Sequence, residues 1–151
     1  YAQTNTDRYL GFLESLKKHN SPLIEDLCFT DSIGIGHYGD CIFNFLDSLD
    51  PDVDAIVCVS DYVAHYVEMY LEENPHHFHN DILLTGFDCS KEYTNVINKL
   101  TTVNVKNNLL GKRLAMQIEF RMNYPDAPPE TSYIRYEIIY SDMLLPSGRM
   151  N

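Results

Sequence analysis

The chain has 151 residues, of which 44% are hydrophobic and 12% aromatic, so it can bury the core of about one domain and is not a disordered chain. Its 22 acidic and 11 basic residues give a net charge of −11, which repels phosphate backbones and argues against nucleic-acid binding by this chain. No apolar stretch approaches the roughly 20 residues that cross a bilayer, and no secretory signal opens the sequence, so no membrane partner is expected.

The four cysteines are widely spaced and form no CxxC pair; they are Cys28, Cys41, Cys58 and Cys89. This spacing favours neither a zinc site nor a disulfide framework, so we expect reduced thiols, no metal and a cytoplasmic protein. The polar first residues lead directly into a helical pattern without an initiator methionine. We therefore expect an excised part of a longer protein.

The first elements in chain order are a helix, a short strand and a second helix. Tyr9, Phe12, Leu13 and Leu16 repeat at helical spacing and predict an amphipathic helix over residues 4–18, with a capping-box-like start at Thr4 and Asp7. A short apolar run at 27–30 has the length of a strand. A glycine-bearing loop at 34–36 then leads into a second helical pattern at about 37–49.

The middle of the chain alternates strand and helix. Residues 55–59 are continuously apolar and rich in β-branched side chains, which predicts a central parallel strand covered on both faces. Ser60 and Asp61 are typical helix caps, and a third helix follows them as far as Asn74. Residues 82–88 predict a second buried strand, with Asp88 at its carboxyl end.

The last third contains a crossover, a long helix and a final strand. Residues 101–105 predict a strand or an extended crossover, and a β-rich run occupies 133–140. Four apolar residues at intervals of four predict an amphipathic helix over 107–123; they are Leu110, Leu114, Ile118 and Met122. The tail at 143–151 has no pattern.

This order of elements predicts an α/β fold, a doubly wound and mostly parallel sheet with helices on both faces. Ligands of such sheets bind beyond the carboxyl ends of the strands, where Ser60, Asp61 and Asp88 lie. A carboxylate there can accept hydrogen bonds from sugar hydroxyls or an amine. Helix capping explains the same residue types, so both interpretations stay open for Ser60 and Asp61.

The sequence offers little support for catalysis. The histidines at 76, 77 and 79 lie in a turn without regular ligand spacing, and the loop at 34–36 lacks the third glycine of a dinucleotide fingerprint. GxSxG, P-loop and HExxH motifs are absent, which leaves only a triad assembled from distant segments. We expect no catalytic residue, no cofactor and no enzymatic activity.

Four short motifs in a fixed order resemble one protein family. They are DRYLGF at 7–12, DAIVCVSDYVA at 54–64, DILLTGFD at 81–88 and LTTV at 100–103. Together they resemble the effector-binding domain of the lactose-repressor (LacI/GalR) family, over residues 6–142. Each motif alone is weak, whereas the four in order at natural spacing are specific.

The resemblance implies a ligand-sensing domain of a transcriptional regulator with a periplasmic-binding-protein-like (type I) fold of two lobes. Residues 1–142 would form the C-terminal lobe, together with a crossover helix at 107–123 that belongs to a missing N-terminal lobe. A sugar or similar polar effector would change the DNA affinity of an absent helix-turn-helix through a homodimer. By motif position, Arg8, Ser60 and Asp88 match the residues that bond sugar hydroxyls. Tyr38 would replace the family's stacking aromatic, with a shift in alignment.

Two other functions remain open at this point. An exported sugar-binding protein of a transporter has the same fold, and the full gene would separate it from a regulator by showing a lipoprotein signal or a helix-turn-helix. An enzyme on a doubly wound sheet is the third hypothesis, and turnover of a sugar derivative would support it.

Overall fold

A computed structural model describes residues 3–34, 36–90, 92 and 99–144 of the chain. The described helices are Gln3–Lys18 (α1), Tyr38–Asp47 (α2), Asp61–Glu73 (α3) and Asn107–Asn123 (α4). The described strands are Ala55–Val57 (β1), Leu83–Thr85 (β2), Leu100–Asn104 (β3) and Glu137–Ile139 (β4). Short 3-10 turns cover Glu25–Leu27 and Asp142–Leu144.

The four strands form one sheet in the order β1-β2-β3-β4. β1, β2 and β3 run parallel, with Ile56 opposite Leu84 and Thr85 opposite Thr101, whereas β4 pairs antiparallel with β3. This confirms the predicted α/β class and the mostly parallel sheet. Helices on both faces and a two-lobed domain stay predictions.

β1 lies at the edge of this sheet, so the prediction of a central strand is wrong. The strand predicted at 27–30 does not form: a 3-10 turn ends at Leu27, and the Phe29 ring stacks on the ring of Phe45, with centroids 5.4 Å apart. No other described strand covers the outer edge of β1, and 59% of Val57 is exposed.

The core lies where α2 and α3 pack together and α3 packs on the sheet. Its buried hydrophobic residues include Ile42, Leu46, Val67, Tyr70, Leu84 and Leu100. The Tyr70 hydroxyl donates to Asp47 Oδ1 at 2.6 Å and ties the two helices together. Burial raises the pKa of Tyr70 to about 12, and the Asp47 carboxylate adds to this effect.

The four predicted helices all form, but several boundaries differ from the prediction. α1 already begins at Gln3, so Thr4 lies inside the helix and is not its N-cap; instead, the Gln3 amide donates to Asp7 at 2.9 Å. β1, β2 and β4 span three residues each, shorter than the predicted runs. Tyr133, in the predicted last strand, is 92% exposed and precedes β4.

α4 contains no buried residue, and its predicted apolar face is open to solvent. Leu110, Leu114, Ile118 and Met122 are each at least half exposed. None of the described helices is long and apolar enough to pass through a membrane. Of the predicted tail, Met143 and Leu144 belong to the last 3-10 turn, and 145–151 fall outside the described residues.

Candidate functional site

An arginine from α1 meets an aspartate that follows β2, at the carboxyl ends of the parallel strands. Arg8 Nη2 donates to Asp88 Oδ1 at 3.0 Å, and Arg8 Nη1 donates to the carbonyl oxygen of Val59 at 2.8 Å. Val59 directly precedes Ser60, the cap of α3. The structure therefore brings Arg8 and Asp88, 80 positions apart in the chain, to the strand ends predicted to hold a ligand.

Phe87 supports the guanidinium of Arg8 from one face. Arg8 Cζ lies 3.9 Å from the centroid of the Phe87 ring, which is within the range of a cation–π interaction. A carboxylate, a carbonyl and a ring thus hold one cation in place. No motif in the sequence indicated this role of Phe87, although the residue directly precedes Asp88.

The ion pair is accessible from solvent mainly on its acidic side. The Asp88 side chain is 41% exposed and that of Arg8 is 23% exposed. Asp88 Oδ2 accepts none of the described hydrogen bonds, so a ligand hydroxyl can donate to it. The pair offers adjacent donor and acceptor groups, as recognition of a hydroxyl-bearing molecule requires.

Ser60 caps α3, which confirms the capping interpretation of this residue. Its backbone is extended, and Ser60 Oγ accepts a hydrogen bond from the amide of Val63 at 3.4 Å. This bond uses the hydroxyl as an acceptor, so its proton can still be donated to another group. A role in binding a ligand stays a prediction.

The Asp61 side chain is buried against β3 and the turn after β2. Only 3% of the residue is exposed. Its Oδ1 accepts from the Thr102 hydroxyl at 2.6 Å, and its Oδ2 accepts from the amide of Ser90 at 2.8 Å. Asp61 is therefore a structural partner of β3 and of the turn after β2. Thr102, the partner on β3, belongs to the LTTV motif at 100–103, which is the only sequence signal for this contact.

The turn that carries Asp88 has an unusual backbone. Asp88 and Cys89 have φ values of 99° and 48°, in a region that costs a residue other than glycine on the order of 1–3 kcal/mol. The Asp88 amide donates to the carbonyl of Val103 at 3.1 Å, and the Cys89 amide donates to Thr102 Oγ1 at 3.3 Å. Bonds to β3 thus hold the turn in place.

Tyr38 begins α2 and belongs to a cluster of three tyrosine rings. Its centroid lies 5.3 Å from that of Tyr62 and 6.3 Å from that of Tyr66. The hydroxyls of Tyr62 and Tyr66 are 3.1 Å apart, and this hydrogen bond raises the pKa of Tyr62. No described contact joins Tyr38 to the ion pair, so a stacking role stays a prediction.

Cys58 follows β1 and is buried close to the same edge. Burial, and secondarily the negative charge of Asp61, raise the pKa of its thiol to about 12. The thiol therefore stays protonated at neutral pH. All four cysteines lie in the described part of the chain, and no disulfide joins them.

Two other features of the described chain lie apart from the ion pair: a histidine–aspartate contact and two depressions along α4. His79 Nδ1 lies 2.8 Å from Asp52 Oδ1, and no group of three or more potential metal ligands occurs among the described residues. Two shallow depressions, of about 360 and 410 Å³, are lined by α4 and its neighbours and include neither Arg8 nor Asp88. The ion pair belongs to neither of these two depressions.

Comparison with known proteins finds no matching family model, curated protein or solved structure. The resemblance to the lactose-repressor family therefore depends on the motif residues alone. In the structure, Arg8 of the motif at 7–12 contacts Asp88 of the motif at 81–88.

Proposed function

We propose that this chain is the ligand-sensing domain of a LacI-family transcriptional regulator and binds a sugar or similar small polar effector. The observation that carries the proposal is the half-exposed Arg8–Asp88 ion pair at the carboxyl ends of parallel strands. Both residues come from motifs that match the family's hydroxyl-binding positions. Ser60, two positions after the Cys58 amide that pairs with Thr85, lies at the same edge.

The effector is held by hydrogen bonds, without a bond-making step. One hydroxyl donates to Asp88 Oδ2, and a neighbouring hydroxyl accepts from Arg8 or from the Ser60 hydroxyl. Tyr38 or its neighbour Tyr62 supplies an aromatic surface for the apolar face of the sugar. The ion pair already neutralises Arg8, so the site suits a neutral ligand better than an anionic one.

In this proposal the domain has the two-lobed periplasmic-binding-protein-like fold, and α4 joins the second lobe. The regulator acts in the cytoplasm as a homodimer and contacts DNA through a helix-turn-helix outside this chain. Binding and DNA affinity are then coupled sites, which makes the response allosteric.

A thermal-shift screen tests the proposal. The panel contains D-glucose, D-galactose, D-ribose, their phosphate esters and the common nucleosides. A ligand at 100 times its dissociation constant adds about 2.7 kcal/mol to the free energy of unfolding, so a binder raises the melting temperature. We expect a rise with a neutral sugar. The absence of any rise across the panel would contradict the proposal.

Replacing the exposed carboxylate tests the site itself. We expect Asp88→Asn to weaken binding of the stabilising sugar by about 10- to 100-fold, because it removes a charged hydrogen-bond acceptor. Asp126→Asn makes the same charge change at an exposed residue after α4 and serves as the control. Titration calorimetry gives both affinities. Equal affinity in Asp88→Asn and the control would rule out Asp88 as a ligand contact.

A further inference from the structure

Three consecutive amides hold the turn after β2, and each has a different acceptor. The Asp88 amide donates to a backbone carbonyl of β3, the Cys89 amide to the Thr102 hydroxyl, and the Ser90 amide to Asp61 Oδ2. Two of these residues have positive φ, a conformation that persists only where the surroundings over-determine it. The acceptors of the second and third amides are therefore needed for the shape of the turn.

Asp61 is one of those two acceptors and binds the other, the Thr102 hydroxyl. Its Oδ1 accepts the Thr102 hydroxyl proton at 2.6 Å, which leaves the Thr102 oxygen oriented to accept from Cys89, while its Oδ2 binds Ser90 directly. The Asp61 amide also donates to the carbonyl of Phe87 at 2.9 Å. One buried residue thus contacts the turn on both sides of Asp88.

We propose that Asp61 is a positioning residue for Asp88: through Thr102 and Ser90 it holds the turn that presents the Asp88 carboxylate to Arg8 and to the effector. The inference rests on the proposed function for the identity of the site. Asp61 itself does not touch the effector, because it is buried and both of its carboxylate oxygens are occupied by donors of the protein.

Amide hydrogen exchange of the ligand-free protein tests the positioning role by NMR. Thr102→Val removes the hydroxyl that joins Asp61 to Cys89 and keeps the β-branched shape of the side chain. We expect exchange at Cys89 and Ser90 to accelerate about tenfold, the effect of one lost hydrogen bond, with no change at the core residue Leu84.

Two further threonine variants make the comparison specific. Thr102→Ser keeps the hydroxyl and should restore wild-type exchange in the turn, whereas Thr85→Val makes the same chemical change on β2 and should leave the turn unaffected. Asp61→Asn replaces one acceptor oxygen by a donor and should accelerate exchange at Ser90. If Asp61→Asn does not fold, the threonine series still decides. The proposal is overturned if Thr102→Val exchanges like Thr85→Val, or if Thr102→Ser exchanges like Thr102→Val.

Affinity for D-glucose, D-galactose and D-ribose separates this inference from the proposed function. We expect Thr102→Val to weaken binding about tenfold and Thr102→Ser to leave it within about twofold of wild type. Unchanged affinity in Thr102→Val, despite faster exchange, would overturn the link between the turn and the effector. If the wild-type protein binds none of the three sugars, the proposed function loses its support, and the exchange rates alone decide whether Asp61 holds the turn.

Discussion

Gly86 shows how closely the residues of the binding edge are packed. A Cβ at this position would overlap Asp61 Oδ1 and lie 3.3 Å from the backbone nitrogen and Cα of Asp61. We expect Gly86→Ala to lower the free energy of unfolding by about 1–3 kcal/mol, because α3 and the turn must separate. Urea denaturation measures the change.

Gly11→Ala and Gly111→Ala are the matched controls for this substitution. Both glycines lie within helices, and a Cβ at either one meets nothing within 4 Å. We expect each control to be as stable as wild type or up to about 1 kcal/mol more stable, because alanine favours helix. If Gly86→Ala has the same urea midpoint as wild type, Gly86 and Asp61 are not in close contact in solution.

The sequence could single out a residue of the candidate site only where the residue's position in a motif was enough to identify it. Arg8 and Asp88 were assigned from motifs, and the structure shows their contact. The inward direction of Asp61 could not be predicted, because its acceptor role depends on Thr102, 41 positions later in the chain. A local sequence pattern indicates whether a residue can cap a helix, but it does not show which distant group donates a hydrogen bond to a buried carboxylate.

Among the elements, α3 carries a buried acid whose charge is unfavourable. Glu68 is 8% exposed, and burial raises its pKa above the ordinary value of 4.5; Lys99 partly offsets this, and Glu72 adds to it. The folded protein therefore binds this proton more tightly than the unfolded chain does. Its contribution to stability is present at pH below 4.5 and is lost as pH rises through the raised pKa.

Glu68→Gln should remove that pH dependence. We expect the variant to melt at a higher temperature than wild type at pH 7 and at a similar temperature at pH 4, where Glu68 is mostly protonated in both states. Glu73→Gln, at an exposed position of the same helix, should change stability by less than about 0.5 kcal/mol at either pH. A larger gain at pH 4 than at pH 7 would contradict the assignment.

Helices were easier to predict than strands for a physical reason. A helix satisfies its own backbone, so apolar periodicity alone located α1 to α4. A strand forms its backbone hydrogen bonds with an adjacent strand, and apolar content does not specify which segment that adjacent strand is. The run at 27–30 had strand composition, but its Phe29 ring packs on α2, and β1 was left at the edge.

At the scale of the whole molecule, the described core is small and one-sided. Leu46 on α2 is 1% exposed, whereas Leu114 on α4 is 60% exposed. We expect Leu46→Ala to cost about 2–5 kcal/mol and Leu114→Ala less than about 0.5 kcal/mol. Denaturant titration measures the free energy of unfolding of both variants, which carry the same Leu→Ala substitution at a buried and at an exposed position. A similar cost for both would mean that α4 is covered in solution.

Arg8 also has a mechanical consequence for α1. Among the described side-chain hydrogen bonds, those of Arg8 attach this helix to the strand ends, and α1 contains no buried residue. The helix has 16 residues and is about 24 Å long, and Arg8 lies in its N-terminal half. A molecule that competes for Arg8 or Asp88 therefore also competes for the attachment of α1 to the sheet.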